Sequence, residues 1–299
     1  MSLKRIAVVG YGNIGHFALE AIQASPDLEL AGLVRRRASL GGPLKVASVT
    51  QTDDVTALGQ VDAALLCTPT RNVQEQAKRY LELGINTVDS FDIHGSILDL
   101  RRELMPVAQQ FGAVSVIAAG WDPGSDSVVR ALLEACAPKG MTYTDFGPGL
   151  SMGHTVAANQ IDGVAKALSV TIPLGTGLHR RMVYVELAAG ADLELVSANL
   201  KADPYFSNDQ TEVVAVDSVD QIADQGHSAH LVRRGVSGKT DNQVFEFSMR
   251  INNPALTAQV MLACARASFK RPPGVYTMPE LPMFDLLPGD TESLIARLV

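Results

Sequence analysis

The chain has 299 residues, 46% of them apolar and 19% charged, with a formal net charge of −7. That is the composition of an ordinary globular protein long enough for two domains, not of a disordered one. The acidic balance without a basic, aromatic-interleaved stripe argues against a nucleic-acid partner, and no apolar run approaches the ~20 residues of a membrane span.

The first predicted elements carry the strongest signal. Residues 6–9 are an apolar run that reads as a buried strand, followed at once by Gly10-Tyr11-Gly12-Asn13-Ile14-Gly15 in G-x-G-x-x-G spacing. Ile14, Phe17, Ala18, Ala21 and Ile22 then recur at helical spacing. Gly10 permits the tight turn, Gly12 lets a pyrophosphate approach the backbone, and Gly15 lets helix and strand pack closely. Free N–H groups at the helix start attract the phosphates. A dinucleotide site is expected; a glycine turn serving packing alone is the bland alternative. Because the apolar run leads into this loop, it is read as a strand and not as a leader segment.

Residues 28–34 form the natural second strand, whose end should carry the group that reads the adenine ribose. An NAD site places an acidic side chain there, whereas a cation accommodates a 2′-phosphate. The chain has Arg35, Arg36 and Arg37 at that point, and Glu29 lies too early in the strand. NADP(H) is the expected cofactor, a solvated charge run being the plainer reading.

After a polar link at residues 39–43, a short candidate strand covers 45–50. Residues 61–67 are a buried strand with Cys67, Thr68, Pro69 and Thr70 at its carboxyl end, where such sheets hold their ligands. Asn72 with Glu75 resembles a capping box opening a helix that carries Val73, Ala77, Tyr80 and Leu81. Gly84 ends that helix. Strands at 85–89 and 113–118 flank a helix from Ser96 that contains Pro106. The alternation predicts an α/β, doubly wound parallel sheet over residues 1–120, of Rossmann type.

The pattern changes after Trp121. Strands are expected at 141–146, 168–172, 181–187, 212–216, 229–233 and 243–251, with helices at 125–136 and 193–201, an α+β second domain over 121–251. In the last strand Phe245, Phe247, Met249 and Ile251 alternate with Glu246, Ser248 and Arg250, the mark of a sheet with one buried face. Asn253-Pro254 reads as N-cap and first-turn proline of a helix with Leu256, Val260, Met261 and Cys264, which returns over 252–299 to complete the first domain.

Polar residues cluster at the predicted strand ends: Asp89-Ser90-Phe91-Asp92 after the fifth strand and Gly120-Trp121-Asp122-Pro123 after the sixth. Two carboxylates there, Asp92 and Asp122, can hold an ammonium, take its proton and position water on an imine carbon. Helix capping is the competing role for Asp122, and solvation for Asp92. Residues 146–154 form a glycine-rich loop that could bind an anion through backbone N–H groups. Arg181 could fork onto a carboxylate, with Arg180 as competitor. Cys67, Cys136 and Cys264 lack metal-ligand spacing, so no metal is expected, and they suit a reducing cytoplasm.

The segments VVGYGNIG, LVRRR, LLCTPTR, TVDSFDIHG, AAGWDPGSDS, TDFGPGLSMGH, RINNPALTAQV and YTMPELP occur in an order and spacing that resembles the meso-2,6-diaminopimelate dehydrogenases over essentially the whole chain. The form with a shorter substrate domain and broader amino-acid acceptance is the closer likeness. The resemblance implies reversible NADP-dependent oxidative deamination of meso-diaminopimelate at its D-centre, yielding L-2-amino-6-oxopimelate, ammonia and NADPH. It implies Asp92 and Asp122 near the reacting amine, and Trp121 and Phe146 lining the site. Met152 and Gly153 would hold the near carboxylate, Thr171, Arg181 and His227 the distal one, with Asn253 near the distal amine. It further implies a homodimer formed through the second domain. Rival readings are a sugar or inositol dehydrogenase, whose lysine after the fifth strand is missing here, and a non-catalytic NADP(H)-sensing protein.

Overall fold

The structure, a computed structural model, describes residues 3–46, 49–222 and 226–299. In chain order its elements begin with β1 (Lys4–Val9), α1 (Asn13–Gln23), β2 (Leu28–Val34), β3 (Gln51–Thr52), β4 (Ala63–Leu66), α2 (Val73–Leu81), β5 (Asn86–Asp89), α3 (Ile97–Gln110), β6 (Val114–Val116) and α4 (Ser125–Cys136). There follow β7 (Lys139–Phe146), β8 (Gly149–Leu150), α5 (Met152–Ala158), β9 (Val164–Gly175), β10 (Leu178–Leu187), α6 (Leu193–Ala202) and β11 (Gln210–Ala215). The last are β12 (His227–Ser237), β13 (Thr240–Ile251), α7 (Asn253–Ser268), β14 (Gly274–Tyr276) and α8 (Thr291–Leu298). The chain divides into two compact units, residues 1–131 with 254–299, and residues 132–253.

The first unit holds a seven-stranded parallel sheet in the order β14-β6-β5-β4-β1-β2-β3. Because strand side chains alternate, Ile6 and Val8 face one side and Ala7 and Val9 the other, and all four are buried. The first face packs on Ala18, Leu19 and Ile22 of α1 and on Ala258, Met261 and Cys264 of α7. The second packs on Ala77, Tyr80 and Leu81 of α2 and on Leu100 and Leu104 of α3. Each fully buried leucine or isoleucine stabilises this sandwich by about 1.5–3 kcal/mol. The sheet is therefore doubly wound, as expected, and α7 does return to cover it. Strand order reverses direction between β1 and β4, which sets the loops after these two strands side by side at the sheet's carboxyl edge.

Several local expectations are corrected. Residues 45–46 and 49–50 are not strand, and 47–48 lie outside the described residues. Leu44, Val46 and Val49 instead pack against the first core face, and the edge pairing falls on β3. Asn72 forms no capping bond. A helical turn at residues 70–72 already feeds α2, which leaves Asn72 in helical backbone where a capping side chain cannot reach back. Asn253 is itself the first helical residue of α7, so Pro254 sits second, where its missing N–H is still an orphan. Strand β14 had no periodic signal because it spans only three residues.

The second unit contains a four-stranded sheet, β11-β10-β9-β8, and a three-stranded antiparallel sheet, β13-β12-β7. Thr176 and Gly177, both at positive φ, turn β9 into β10. Apolar alternation along β13 is real, but its face is not wholly buried: Phe247 is 37% exposed, and Phe245 and Met249 are half-buried. β13 is the edge strand of its sheet, paired on one side by β12.

Candidate active site

In the first unit the nucleotide cradle is built by close backbone approach. Gly10 has φ of +94°, and a Cβ there would stand 2.5 Å from the carbonyl oxygen of Cys67. A Cβ on Gly15 would stand 2.2 Å from the carbonyl oxygen of Gly10. Around Gly12, by contrast, a Cβ would meet nothing within 4 Å, so the backbone is open on the side where a pyrophosphate would lie. Helix α1 has neither a side-chain cap nor an acidic residue in its first turn, which leaves the N–H groups of Asn13, Ile14 and Gly15 without helical acceptors. The Cys67 N–H donates to Val9 at 2.8 Å, tying the loop after β4 to this turn. Burial pushes the Cys67 thiol up to about 12, so it is a packing group. Thr68 Oγ1 is buried without a hydrogen-bond partner, and the Thr68 methyl lies against Gly10. These features fit a dinucleotide.

The three arginines separate. Arg35 lies over the Tyr11 ring, 5.4 Å from its centroid, and donates to Gln51 at 3.1 Å. Tyr11 in turn accepts from the Lys45 N–H at 2.8 Å. Arg36 and Arg37 are exposed, with no ion pair among the described residues. Two cations thus stand ready at the end of β2.

The loops after β5 and β6 are fastened by Asp89, which had no role in the sequence reading. Its Oδ1 accepts from the N–H groups of Phe91 at 3.0 Å and Ala118 at 3.1 Å, while its carbonyl accepts from Ala119 at 2.7 Å. Burial pushes its carboxyl up to about 6. Asp92 is exposed and accepts from Thr70 at 2.6 Å, so this candidate base and a candidate cofactor contact are joined. Trp121 is buried. Among the described residues Asp122 takes no capping hydrogen bond from α4; it faces the carboxyl of Asp126 and lies 3.9 Å from Arg130. Burial raises the Asp122 pKa. Asp126, four residues on from Asp122, and Arg130, four further on along α4, were missed, although that spacing could have disclosed them.

In the second unit, strand register brings distant residues together. Arg181 of β10 stands directly opposite Thr171 of β9, and its Nη1 donates to the Thr171 hydroxyl. Arg181 Nε donates to Asp209 at 2.6 Å. Arg180 points to the other face of the strand, where Glu212 lies 3.6 Å away. His154 follows Met152 and Gly153 in the first turn of α5; its Nδ1 is 2.8 Å from Ser151 Oγ and its Nε2 3.7 Å from Asp209. Burial, and then the charge of Arg181, pushes His154 down to about 4, so the imidazole is neutral. His227 opens β12, with Nδ1 2.7 Å from the Leu150 carbonyl; burial lowers its pKa too. The Phe146 ring is tilted against those of His179 and His227, at 5.4 and 6.4 Å between ring centroids. Asn253 comes two residues after Ile251, the residue paired with His227. The Arg181 guanidinium, held by Asp209 and the Thr171 hydroxyl and close enough to His154, His179 and His227 to lower their pKa values, is suited to a carboxylate. Asp209 and His179, also missed, carry no local sequence signal.

Known proteins resemble the chain in sequence and in fold. Residues 4–88 match a family described as "Oxidoreductase family, NAD-binding Rossmann fold", and residues 120–178 match "Diaminopimelic acid dehydrogenase C-terminal domain". The chain is 61% identical over 299 residues, all of both chains, to the meso-diaminopimelate D-dehydrogenase of Bacteroides fragilis. The chain belongs to the meso-diaminopimelate D-dehydrogenase family. The meso-diaminopimelate D-dehydrogenase of Lysinibacillus sphaericus is 34% identical over 294 residues, 90% of each chain. Among solved structures, C. glutamicum diaminopimelate dehydrogenase in complex with diaminopimelate superposes with a TM-score of 0.90 at 30% identity over all of both chains. An engineered D-amino acid dehydrogenase bound to NADP+ superposes at 0.85 and 29% identity, again over all of both chains. The first unit is thus a nicotinamide-dinucleotide domain of an oxidoreductase family that acts on small molecules. No helix among the described residues is long and apolar enough to cross a membrane.

Proposed function

We propose that the chain catalyses reversible, NADP-dependent oxidative deamination of meso-2,6-diaminopimelate at its D-centre. Substrate, NADP+ and water give L-2-amino-6-oxopimelate, ammonium, NADPH and a proton, a step of diaminopimelate and lysine biosynthesis in the cytoplasm. The full-length identity of 61% to the B. fragilis enzyme carries this reading.

Gly10, Tyr11, Gly12, Asn13, Ile14 and Gly15 cradle the pyrophosphate, with Cys67, Thr68, Pro69 and Thr70 beside it. Arg36 and Arg37, free of ion pairs among the described residues, bind the 2′-phosphate, and Arg35 backs them from its seat on Tyr11. When bound, the nicotinamide accepts the hydride. All other work falls to the chain. Trp121 walls the reacting centre. Asp122 and Asp92 hold the ammonium, take its proton, and set the water that adds to the imine carbon. The N–H groups of Met152 and Gly153 at the start of α5 hold the near carboxylate, and Phe146 lines the site. Arg181, oriented by Thr171, binds the distal carboxylate with His227, and Asn253 the distal amine. Clamping the substrate at both ends aims one C–H bond, which is a problem of positioning.

The second unit thereby binds substrate, and it also forms a homodimer. Met141 and Val244 flank Arg234 in one cross-strand row of the three-stranded sheet, and Met141 is 66% exposed, an apolar surface that a second copy would cover. The similarity to the engineered D-amino acid dehydrogenase supports acceptance of simpler D-amino acids as well.

The decisive experiment follows reduced-nicotinamide absorbance in alkaline buffer with meso-diaminopimelate, D-alanine and myo-inositol, each with NADP+ and NAD+. Turnover of meso-diaminopimelate with NADP+ is expected. Turnover of inositol alone, or none at all, refutes the proposal. Replacing Arg36 and Arg37 together by Ala should erase the preference for NADP+; an unchanged preference would assign 2′-phosphate recognition elsewhere.

A further inference from the structure

The first turn of α4 brings a second carboxyl group to Asp122. Asp126 is 1% exposed, and its carboxyl lies within hydrogen-bonding reach of that of Asp122. Its Oδ1 accepts from Ser127 Oγ at 3.3 Å. Its Oδ2 is paired with Nη2 of Arg130 at 2.8 Å, one turn further along α4. The same Nη2 lies 3.9 Å from Oδ1 of Asp122. A buried carboxyl group and a partly exposed one therefore face one guanidinium. Fully ionised, the cluster carries a net negative charge, and a single proton neutralises it.

We propose that Asp122 and Asp126 act as one base, in which Asp126 holds the proton that Asp122 takes from the substrate ammonium. The inference rests on the deamination proposed above and adds to it the group that stores the proton. An N–H bond of the ammonium breaks and an O–H bond forms on Asp122. The proton crosses the hydrogen bond between the carboxyls to Asp126, which leaves Asp122 ionised beside the amine. It departs to water through Asp122, whose side chain is 15% exposed. One proton enters and one leaves. Asp126 acts through Asp122 and is a positioning residue.

A lone solvated aspartate, ordinarily near 3.9, is too weak a base for an ammonium, whereas a base is most effective near the operating pH. Two coupled carboxyls titrate in separate steps, the second well above the first. Burial, and then the charge of Asp122, pushes Asp126 up to about 7. Within the first unit, Arg130 on the same helix is the charged group acting on both. Of the elements packed beside the loop, the end of β5 brings Ser90 against Gly120 and Asp89, whose Oδ1 is engaged by Phe91 and Ala118; α7 brings the neutral Thr257.

The test uses Asp126→Asn in the full-length enzyme, with the pH dependence of kcat for meso-diaminopimelate, NADP+ affinity and melting temperature measured against the parent. The acid limb of kcat should move down by more than about one pH unit, because Asp122 then titrates beside Arg130 without a competing carboxylate. Plateau turnover should fall about tenfold with the weaker base, NADP+ affinity should hold, and Asp126→Glu should restore the limb. An acid limb at the parental pH, whatever happens to turnover or melting temperature, overturns the proposal and leaves Asp126 a structural helix residue. Arg130→Gln, at a half-exposed position, gives a second reading: removing the cation should raise the limb, and an unmoved limb again overturns it. Carboxyl 13C titration of the enzyme without cofactor separates the two ideas. A resonance titrating near neutrality that disappears in Asp126→Asn supports the pair even if the parent fails to turn over diaminopimelate; its absence from the parent sinks the pair even if the parent is active.

Discussion

Asp89 ties two loops through a single oxygen, and burial sets how that tie responds to pH. Its folded pKa, pushed up to about 6 from 3.8, means that the folded chain binds this proton more tightly than the unfolded one. The stability it contributes is therefore complete below about pH 4 and is lost as pH rises through about 6, a swing of about 3 kcal/mol. Asp89→Asn keeps the acceptor for Phe91 and Ala118 without the ionisation. The melting temperature of the parent relative to this variant should fall by roughly 5–10 °C between pH 4 and 7. His154, pushed down to about 4, works in the opposite sense but is common to both proteins and cancels. A constant difference would show that Asp89 ionises alike in the folded and unfolded chain, with no rise from burial. Arg181 gives a second prediction at this scale. Arg181→Ala should raise KM for meso-diaminopimelate by tenfold to a hundredfold, as expected for charge-assisted hydrogen bonds of about 1.5–3 kcal/mol. D-alanine, with no distal carboxylate, should be little affected. Equal weakening of both substrates would remove Arg181 from the distal clamp.

At the scale of the element, the turn from β1 into α1 separates glycines that serve the fold from one that serves the ligand. A methyl group at Gly10 or Gly15 collides with backbone at 2.5 or 2.2 Å, and backbone cannot step aside. At Gly12 it meets nothing within 4 Å. Gly15→Ala should therefore lower the melting temperature measured without cofactor, whereas Gly12→Ala should leave it unchanged and weaken NADPH binding at least about tenfold, since the methyl occupies the phosphate approach. Fluorescence titration of NADPH alongside thermal unfolding checks both. A large loss of stability in Gly12→Ala would contradict this division.

For the whole molecule, the far end of the chain is fastened to the beginning by Arg266, which is 9% exposed. Its guanidinium forks onto Asp27 at 2.6 and 2.8 Å and also donates to Ser25 and to the Leu286 carbonyl. The fork on Asp27 lowers that carboxyl's pKa, so its contribution is present above the ordinary carboxylate range and is lost as acid reaches the lowered value. Arg266→Ala takes a nearly buried guanidinium from Asp27, whose own side chain is a third exposed, and from two further acceptors, and should cost about 1.5–3 kcal/mol, measurable by denaturant unfolding. Arg266→Lys should recover little, because an ammonium cannot fork. A cost below about 1 kcal/mol would place this clasp among the weak surface pairs.

Much of this was legible locally. Hydrophobic periods of two and 3.6, the glycine spacing, the arginine run and the Trp121-Asp122 corner are properties of neighbouring residues, so the amino-acid sequence by itself determined the doubly wound sheet, the α+β second unit, the nucleotide loop and the family. Other features were out of its reach. That Arg181 rather than Arg180 meets Thr171 follows from the register of β9 against β10, and the service of Asp209 to Arg181 follows from the placement of β11 beside β10. The orphan strand β14, the half-covered face of β13 and the unformed cap at Asn72 likewise depend on what lies alongside them. Pairing and burial join residues many positions apart, and their energies belong to the contact and not to either residue. Only the tertiary structure could decide them.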